Sequence, residues 1–157
     1  MPGMLKISES ALNQLRAHGE QTYPHECCGV LLGQDNGDSE RWVTHAVACG
    51  NTRTDSPENR YNIDPKELIR IQLDAREQGL DILGFYHSHP DHPARWSSTD
   101  LAEAHWFGCS YVITSVTNGK AQNTNSFLLA GDEESKRFED EQVEVVEQPD
   151  ESRAMAD

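Results

Sequence analysis

Residues 85 to 100 read FYHSHPDHPARWSSTD, and the reading of the rest of the chain turns on this stretch. Just before it, residues 81 to 86 are apolar apart from Asp81 and lie between Gly79 and Pro90, too short a space for a helix. They are predicted to form a central strand with His87 at its C-terminal end. On an extended segment residues i and i+2 face the same way, so His87 and His89 aim two imidazoles at one point beyond the strand end. Pro90 cannot continue a ladder, and Asp91-His92-Pro93 forces a loop that returns at Ser97-Ser98-Thr99-Asp100, a helix-start signature. Taken alone, Ser97-x-x-Asp100 is ordinary capping chemistry. A cap does not explain the paired histidines; with Asp100 as third ligand they make a metal site, and the cap and ligand roles are compatible. Two neutral imidazoles and one carboxylate suit Zn²⁺, and three protein ligands leave a position for water, as in a catalytic centre.

Outward from this point the chain reads as alternating elements. Asp64-Pro65-Lys66-Glu67 opens the clearest helix: Asp64 caps, Pro65 suits the first turn and Glu67 closes a capping box. Leu68, Ile69, Ile71, Leu73 and Ala75 then form a broad apolar face before Gly79. Nearer the N-terminus, Ser8 or Ser10 caps a first helix carrying Leu12 and Leu15, with Gly19 as its stop. CGVLLG (28 to 33), the Asp35-Asn36-Gly37-Asp38 turn and RWVTHAVA (41 to 48) make a β-hairpin. Downstream, LAEAHWF (101 to 107) is expected to be helical and to close at Gly108. YVITSV (111 to 116), NSFLLA (125 to 130, after the Asn118-Gly119 turn) and VEVV (143 to 146) are expected strands. The fold class is α/β in the broad sense: an α+β mixed sheet with helices packed on it.

A chain of 157 residues is one ordinary domain, large enough to bury a core without a stabilising metal. Its boundaries are expected at 1–147, with 148–157 an acidic, disordered tail. The formal charge of -14 argues against nucleic-acid and anionic-membrane partners, which need a basic face. From Gly131 to Asp157 there are eleven acidic residues against three basic ones, so eight of the fourteen net charges belong to this end, read as a solvated or frayed tail. MPGMLKISES has no apolar signal region and no window is long and apolar enough to span a bilayer, so a cytoplasmic location is expected. Cys27, Cys28, Cys49 and Cys109 lack C-x-x-C spacing and read as reduced and mostly buried.

H-S-H-P, six residues, then S-x-x-D resembles the signature of the JAMM (MPN+) zinc metallopeptidases. Pro24-His25-Glu26-Cys27-Cys28-Gly29-Val30-Leu31-Leu32-Gly33 is similar to that family's upstream P-x-E-x-C-G-x-L-x-G segment, and Asn51, Pro57, Arg60, Tyr61 and Asp64-Pro65 to the middle of its compact bacterial members. The resemblance covers roughly residues 5 to 147 and implies a curved mixed sheet flanked by helices, with a cytidine-deaminase-like layout. By the same resemblance His87, His89 and Asp100 would hold one zinc, Glu26 would act as general base and acid, and Ser97 would hydrogen-bond the oxyanion.

Other zinc chemistries do not fit: His25-Glu26 lacks the second histidine of H-E-x-x-H, and no C-x-x-C completes a deaminase site. His92 reads as a loop residue at the mouth, and His18, His45 and His105 as surface or packing residues. Trp96 either lines a substrate groove or pins the loop. Cys28 packs, since a thiol nucleophile needs a partnered base. The resemblance implies a zinc-dependent peptidase or isopeptidase acting after the C-terminal Gly-Gly of a ubiquitin-like sulfur-carrier protein. The alternatives are a general metallopeptidase with unrelated substrates and a non-catalytic MPN binding module.

Overall fold

The computed structural model describes residues 3–37, 41–52 and 61–147; Asp38, Pro57, Arg60 and the acidic segment 148–157 singled out above lie outside them. In chain order the elements are β1 (Gly3–Ser8), α1 (Glu9–Thr22), β2 (Cys28–Asp35), β3 (Arg41–Cys49), α2 (Pro65–Glu77), β4 (Asp81–Pro90), α3 (Ser98–Glu103), β5 (Ser110–Thr117), β6 (Lys120–Asp132) and β7 (Ser135–Val146). The strands form one mixed sheet in the order β1-β3-β2-β4-β5-β6-β7 that closes into a barrel. Three pairings are parallel: β1 with β3, β1 with β7, and β4 with β5. The α+β mixed sheet read from the sequence is therefore present.

Closure comes from β1, a strand absent from the sequence reading, which is paired on one edge from Leu5 to Ile7 with β3 and on the other from Gly3 to Ser8 with β7. Leu5 and Ile7 are fully buried by this insertion. The expected VEVV strand also extends back to Ser135, so that the acid-rich stretch before it, read above as part of a frayed end, belongs to β7, and Glu141 within it is buried. Alternating charged residues are compatible with a strand whose other edge and face are covered.

The helices differ in three details from the sequence reading. α1 is capped by Ser8, whose Oγ accepts from Ala11 N at 3.1 Å, but it runs through Gly19 to Thr22 instead of stopping there. Gly19 allows close approach: a Cβ on it would lie 3.0 Å from Val116 Cγ2 and 3.4 Å from Ser88 Cβ. α2 is capped by Asp64, which accepts from Lys66 N at 2.9 Å. Its buried face is narrower than expected, because Ile71 and Ala75 are buried while Ile69 and Leu73 remain more than half exposed. α3 starts one residue after Ser97 and ends at Glu103, earlier than the 101–107 helix expected.

Each face of the sheet has its own core. Cys28, Val30, Leu32 and Phe85 pack with Ile71 and Ala75 of α2, and Leu31 and Tyr86 pack with Ala11 and Leu15 of α1. β4 is buried from Leu83 to Pro90, as the central position of its apolar run predicts. Gly29 is required by this packing: it pairs with Tyr86, and a Cβ there would fall 2.2 Å from Tyr86 Cε2.

Candidate metal centre and active site

The end of β4 and the start of α3 meet at the top of the sheet. His87 and His89 leave the strand on the same side, with their Nε2 atoms 3.2 Å apart. Asp100 faces both, with Oδ1 3.3 Å from His87 Nε2 and Oδ2 3.1 Å from His89 Nε2. The ligand atoms of these three residues all lie within 4.8 Å of one another. Asp100 is delivered by a capping box: Ser97 N donates to Asp100 Oδ2 at 2.9 Å and Asp100 N donates to Ser97 Oγ at 3.0 Å. Cap and cluster thus use the same carboxylate, as the sequence reading allowed.

The protonation states suit a cation. His89 Nδ1 lies 2.9 Å from the Pro93 carbonyl, which can only accept, so Nδ1 carries a proton and Nε2 is the ring nitrogen turned to the cluster. Burial lowers the His87 pKa against the opposing pull of Asp100, which favours a neutral ring. Burial by itself would raise the Asp100 carboxyl, but hydrogen bonds to His87, His89 and Ser97 N–H hold it well below the usual carboxylate range. Tyr61 stacks on His87 with ring centroids 4.6 Å apart and planes at 24°, fixing the imidazole from the other side. Two imidazoles and a carboxylate are a donor set that fits zinc.

Glu26 arrives from a different segment. Cys27 N donates to Ser88 Oγ at 2.8 Å and Ser88 N donates to Cys27 O at 3.3 Å, locking the residues before β2 onto β4. The serine between the two histidines thus faces away from the cluster and sets where Glu26 stands. Asn51 Nδ2 donates to Glu26 O at 3.4 Å, and Asn62 N donates to Asn51 Oδ1 at 3.0 Å, tying the segment that follows β3 and the Tyr61 segment to the same point. Glu26 is 3% exposed, and its Oε1 has no protein partner. Burial, with the charges of Asp100 and Glu103, pushes its carboxyl up to about 9. A buried acceptor left open beside a cluster that could hold a metal fits a group that handles a proton.

Glu26, His89, His92, Pro93, Arg95 and Ser97 line one pocket. Of the five residues singled out from the sequence, Glu26, His89 and Ser97 line this pocket, His87 and Asp100 join it through the cluster with His89, and His92 stands at the pocket wall outside that cluster. The Trp96 ring lies 5.5 Å from Phe138 and also lines an adjoining groove, so it both pins the loop and forms a wall. The four cysteines are free and buried, and burial pushes the Cys28 thiol far above its ordinary range, so it is no nucleophile. Ser88, Asn62 and Arg95 were missed by sequence reasoning. Their types carry no signal until register and loop path bring them to the site.

A donor set of this kind at a strand end, with a buried carboxyl beside it, defines a metallohydrolase. Residues 8–130 match the family described as prokaryotic homologs of the JAB domain, and the chain belongs to that family, the JAMM (MPN+) peptidases its motif resembles. It is 36% identical over 107 residues to the Desampylase of Haloferax volcanii, an alignment covering 68% of this chain and 74% of that one. With the CysO-cysteine peptidase of Mycobacterium tuberculosis it shares 26% over 146 residues, covering 92% and 93%. The solution structure of a Desulfitobacterium hafniense protein superposes with a TM-score of 0.78 at 32% identity, covering 92% of this chain and 94% of that one. Among the described residues no helix is long and apolar enough to cross a membrane.

Proposed function

We propose that this chain is a zinc-dependent peptidase or isopeptidase that hydrolyses the bond after the C-terminal Gly-Gly of a ubiquitin-like sulfur-carrier protein. The observation that carries the reading is the convergence of His87, His89 and Asp100 beside a buried, open Glu26 and a capping Ser97. The names of the Haloferax and Mycobacterium relatives, a desampylase and a CysO-cysteine peptidase, support the substrate class. His87, His89 and Asp100 hold the metal. Zinc bound there supplies Lewis acidity and lowers the pKa of a water ligand toward about 7.

The chain's own residues do the rest. Glu26 takes a proton from the attacking water and returns it to the leaving nitrogen, a task suited to a buried carboxyl whose Oε1 has no protein partner. Ser97 Oγ already accepts from Asp100 N, so its hydroxyl hydrogen is left to donate to the oxyanion. Tyr61 and Pro93 hold the two imidazoles in place. A non-catalytic module has no use for all five groups together.

The test is mass spectrometry of a sulfur carrier extended after Gly-Gly by cysteine, incubated with the zinc-loaded enzyme and with Glu26→Gln. Loss of the added residue with the parent enzyme alone is expected. An intact adduct beside cleavage of generic peptides would move the chain to the general metallopeptidases. His87→Ala and Asp100→Ala are expected to lower bound zinc in elemental analysis, and unchanged zinc in both would overturn the ligand assignment.

A further inference from the structure

The strap between His89 and Ser97 brings an arginine to the site. Arg95 lines the pocket that holds Glu26 and Ser97, and it also lines the adjoining groove of Trp96, Asn125 and Phe127, where Asp140 and Glu141 stand without an ion pair to it. Its backbone is held on both sides. Arg95 N donates to Pro93 O at 2.8 Å, and the carbonyl of the buried Ala94 accepts from Asn125 Nδ2 at 2.9 Å. Trp96 packs on Phe138. Yet the Arg95 side chain is exposed, and its guanidinium makes no hydrogen bond or ion pair among the described residues. Arg16, Arg41, Arg70 and Arg137 by contrast each have partners, and Arg76, which has none among the described residues either, lines a different pocket, with Asp35 and Leu80. In a chain of formal charge -14, an arginine without an ion pair on a well-held strap at the catalytic pocket is placed to take an anionic ligand.

We infer that Arg95 determines specificity for the leaving group: it receives the terminal α-carboxylate of a single amino acid joined to Gly-Gly through an ordinary peptide bond. The inference rests on the proposed function. Hydrolysis breaks the C–N bond after the second glycine and forms a C–O bond from water, and the water's proton reaches the departing nitrogen through Glu26. The leaving group therefore lies on Glu26's side, in the pocket that Arg95 lines. When that group is one amino acid, its carboxylate is separated from the scissile nitrogen by the α-carbon alone. When it is a lysine side chain in an isopeptide bond, the nitrogen sits at the end of an alkyl chain with no carboxylate beside it. A guanidinium fork pairs with a carboxylate through two parallel, charge-assisted hydrogen bonds, a geometry lysine does not reproduce. Arg95 thus favours removal of a single residue, such as the cysteine in the name of the Mycobacterium relative, over release from a protein lysine.

Two adducts of one carrier separate the possibilities: Gly-Gly-Cys with a free carboxylate and Gly-Gly-Cys as the C-terminal amide. They are compared for turnover by the zinc-loaded parent, Arg95→Ala and Arg95→Lys, and for affinity to Glu26→Gln by calorimetry. The expected result is a preference of the parent for the acid on the order of 10-fold or more in kcat/KM, with the same order of preference in binding to Glu26→Gln. The preference should be near unity in Arg95→Ala and intermediate in Arg95→Lys, with zinc content the same in all. Cleavage of both adducts with an acid-to-amide ratio that Arg95→Ala does not change overturns the inference and leaves the proposed function standing. Cleavage of neither adduct beside hydrolysis of generic peptides overturns both.

Discussion

Glu26 stands where its charge is costly, since burial and two neighbouring acids favour the protonated form in the folded chain. Its folded value near 9 exceeds the ordinary 4.5, so between these values the folded protein holds a proton that the unfolded chain has lost. That contribution to stability is complete below about pH 4.5 and is lost as the pH rises toward about 9. Glu26→Gln is accordingly expected to stabilise the metal-free protein at pH 8, by on the order of 1–3 kcal/mol, and to do little near pH 4. Urea unfolding of chelated parent and variant at the two pH values checks this. The same substitution should keep bound zinc but lower turnover by about 100-fold or more, measured as kcat on the Gly-Gly-Cys adduct. Ser97→Ala is expected to cost about 1 kcal/mol of stability as a lost cap and on the order of 2–4 kcal/mol in kcat/KM. A variant with lowered stability but full activity would leave Ser97 a cap only.

At the scale of elements, the site depends on β4 being buried on both faces. The face of Phe85, His87 and His89 holds the cluster and packs under α2, while Tyr86 and Ser88 on the other face meet α1 and the segment before β2. Tyr86 reaches His18 Nδ1 at 2.7 Å, and its ring lies across Gly29 of the neighbouring strand. Gly29→Ala forces a Cβ into that ring and is expected to cost about 1–3 kcal/mol in urea unfolding. It should also lower activity in the folded enzyme, because β2 moves relative to β4 and carries Glu26 with it. Helix starts were legible here because a cap acts within one turn: Ser8, Asp64 and Ser97 all cap as their types suggest. Helix ends and faces were less so. Gly19 looked like a stop because glycine often is one, yet the demand at that point is close packing on Val116 and Ser88. Ile69 and Leu73 looked like core because periodicity counts apolar residues without knowing how wide a face the sheet covers.

Over the whole molecule, one buried ion pair bridges the closing strands. Arg41 of β3 donates to Leu83 O at 2.7 Å and to Ser110 Oγ at 2.8 Å, and its Nη1 lies 3.5 Å from Glu141 Oε2 of β7. Glu141 also accepts from Ser110 Oγ, and from Ser126 Oγ at 2.6 Å, so β3, β5, β6 and β7 share one network. Removing one partner leaves a buried charge alone, and Glu141→Ala is expected to cost about 3–5 kcal/mol in denaturant unfolding. Chelation is expected to leave the far-ultraviolet circular dichroism of the parent unchanged, because two cores and a closed sheet hold the fold without metal.

The sequence by itself determined the parts of this protein that are local: the central strand leading into His87, though β4 runs on to Pro90, the paired His87-x-His89, the loop returning at Ser97, the capped helix that brings Asp100, and the mixed class of the fold. Strand alternation and capping operate over a few residues, so their signals lie in adjacent letters. Only the tertiary structure decided that β1 closes the sheet between β3 and β7, that β7 begins at Ser135 well before the expected VEVV, and that Tyr61 covers His87. Glu26 is the clearest case, since its place depends on a hydrogen bond between Cys27 and Ser88, 61 positions apart. Contacts of that kind follow from strand register and from what each face must bury, quantities that belong to the assembled sheet and to no single segment of the chain.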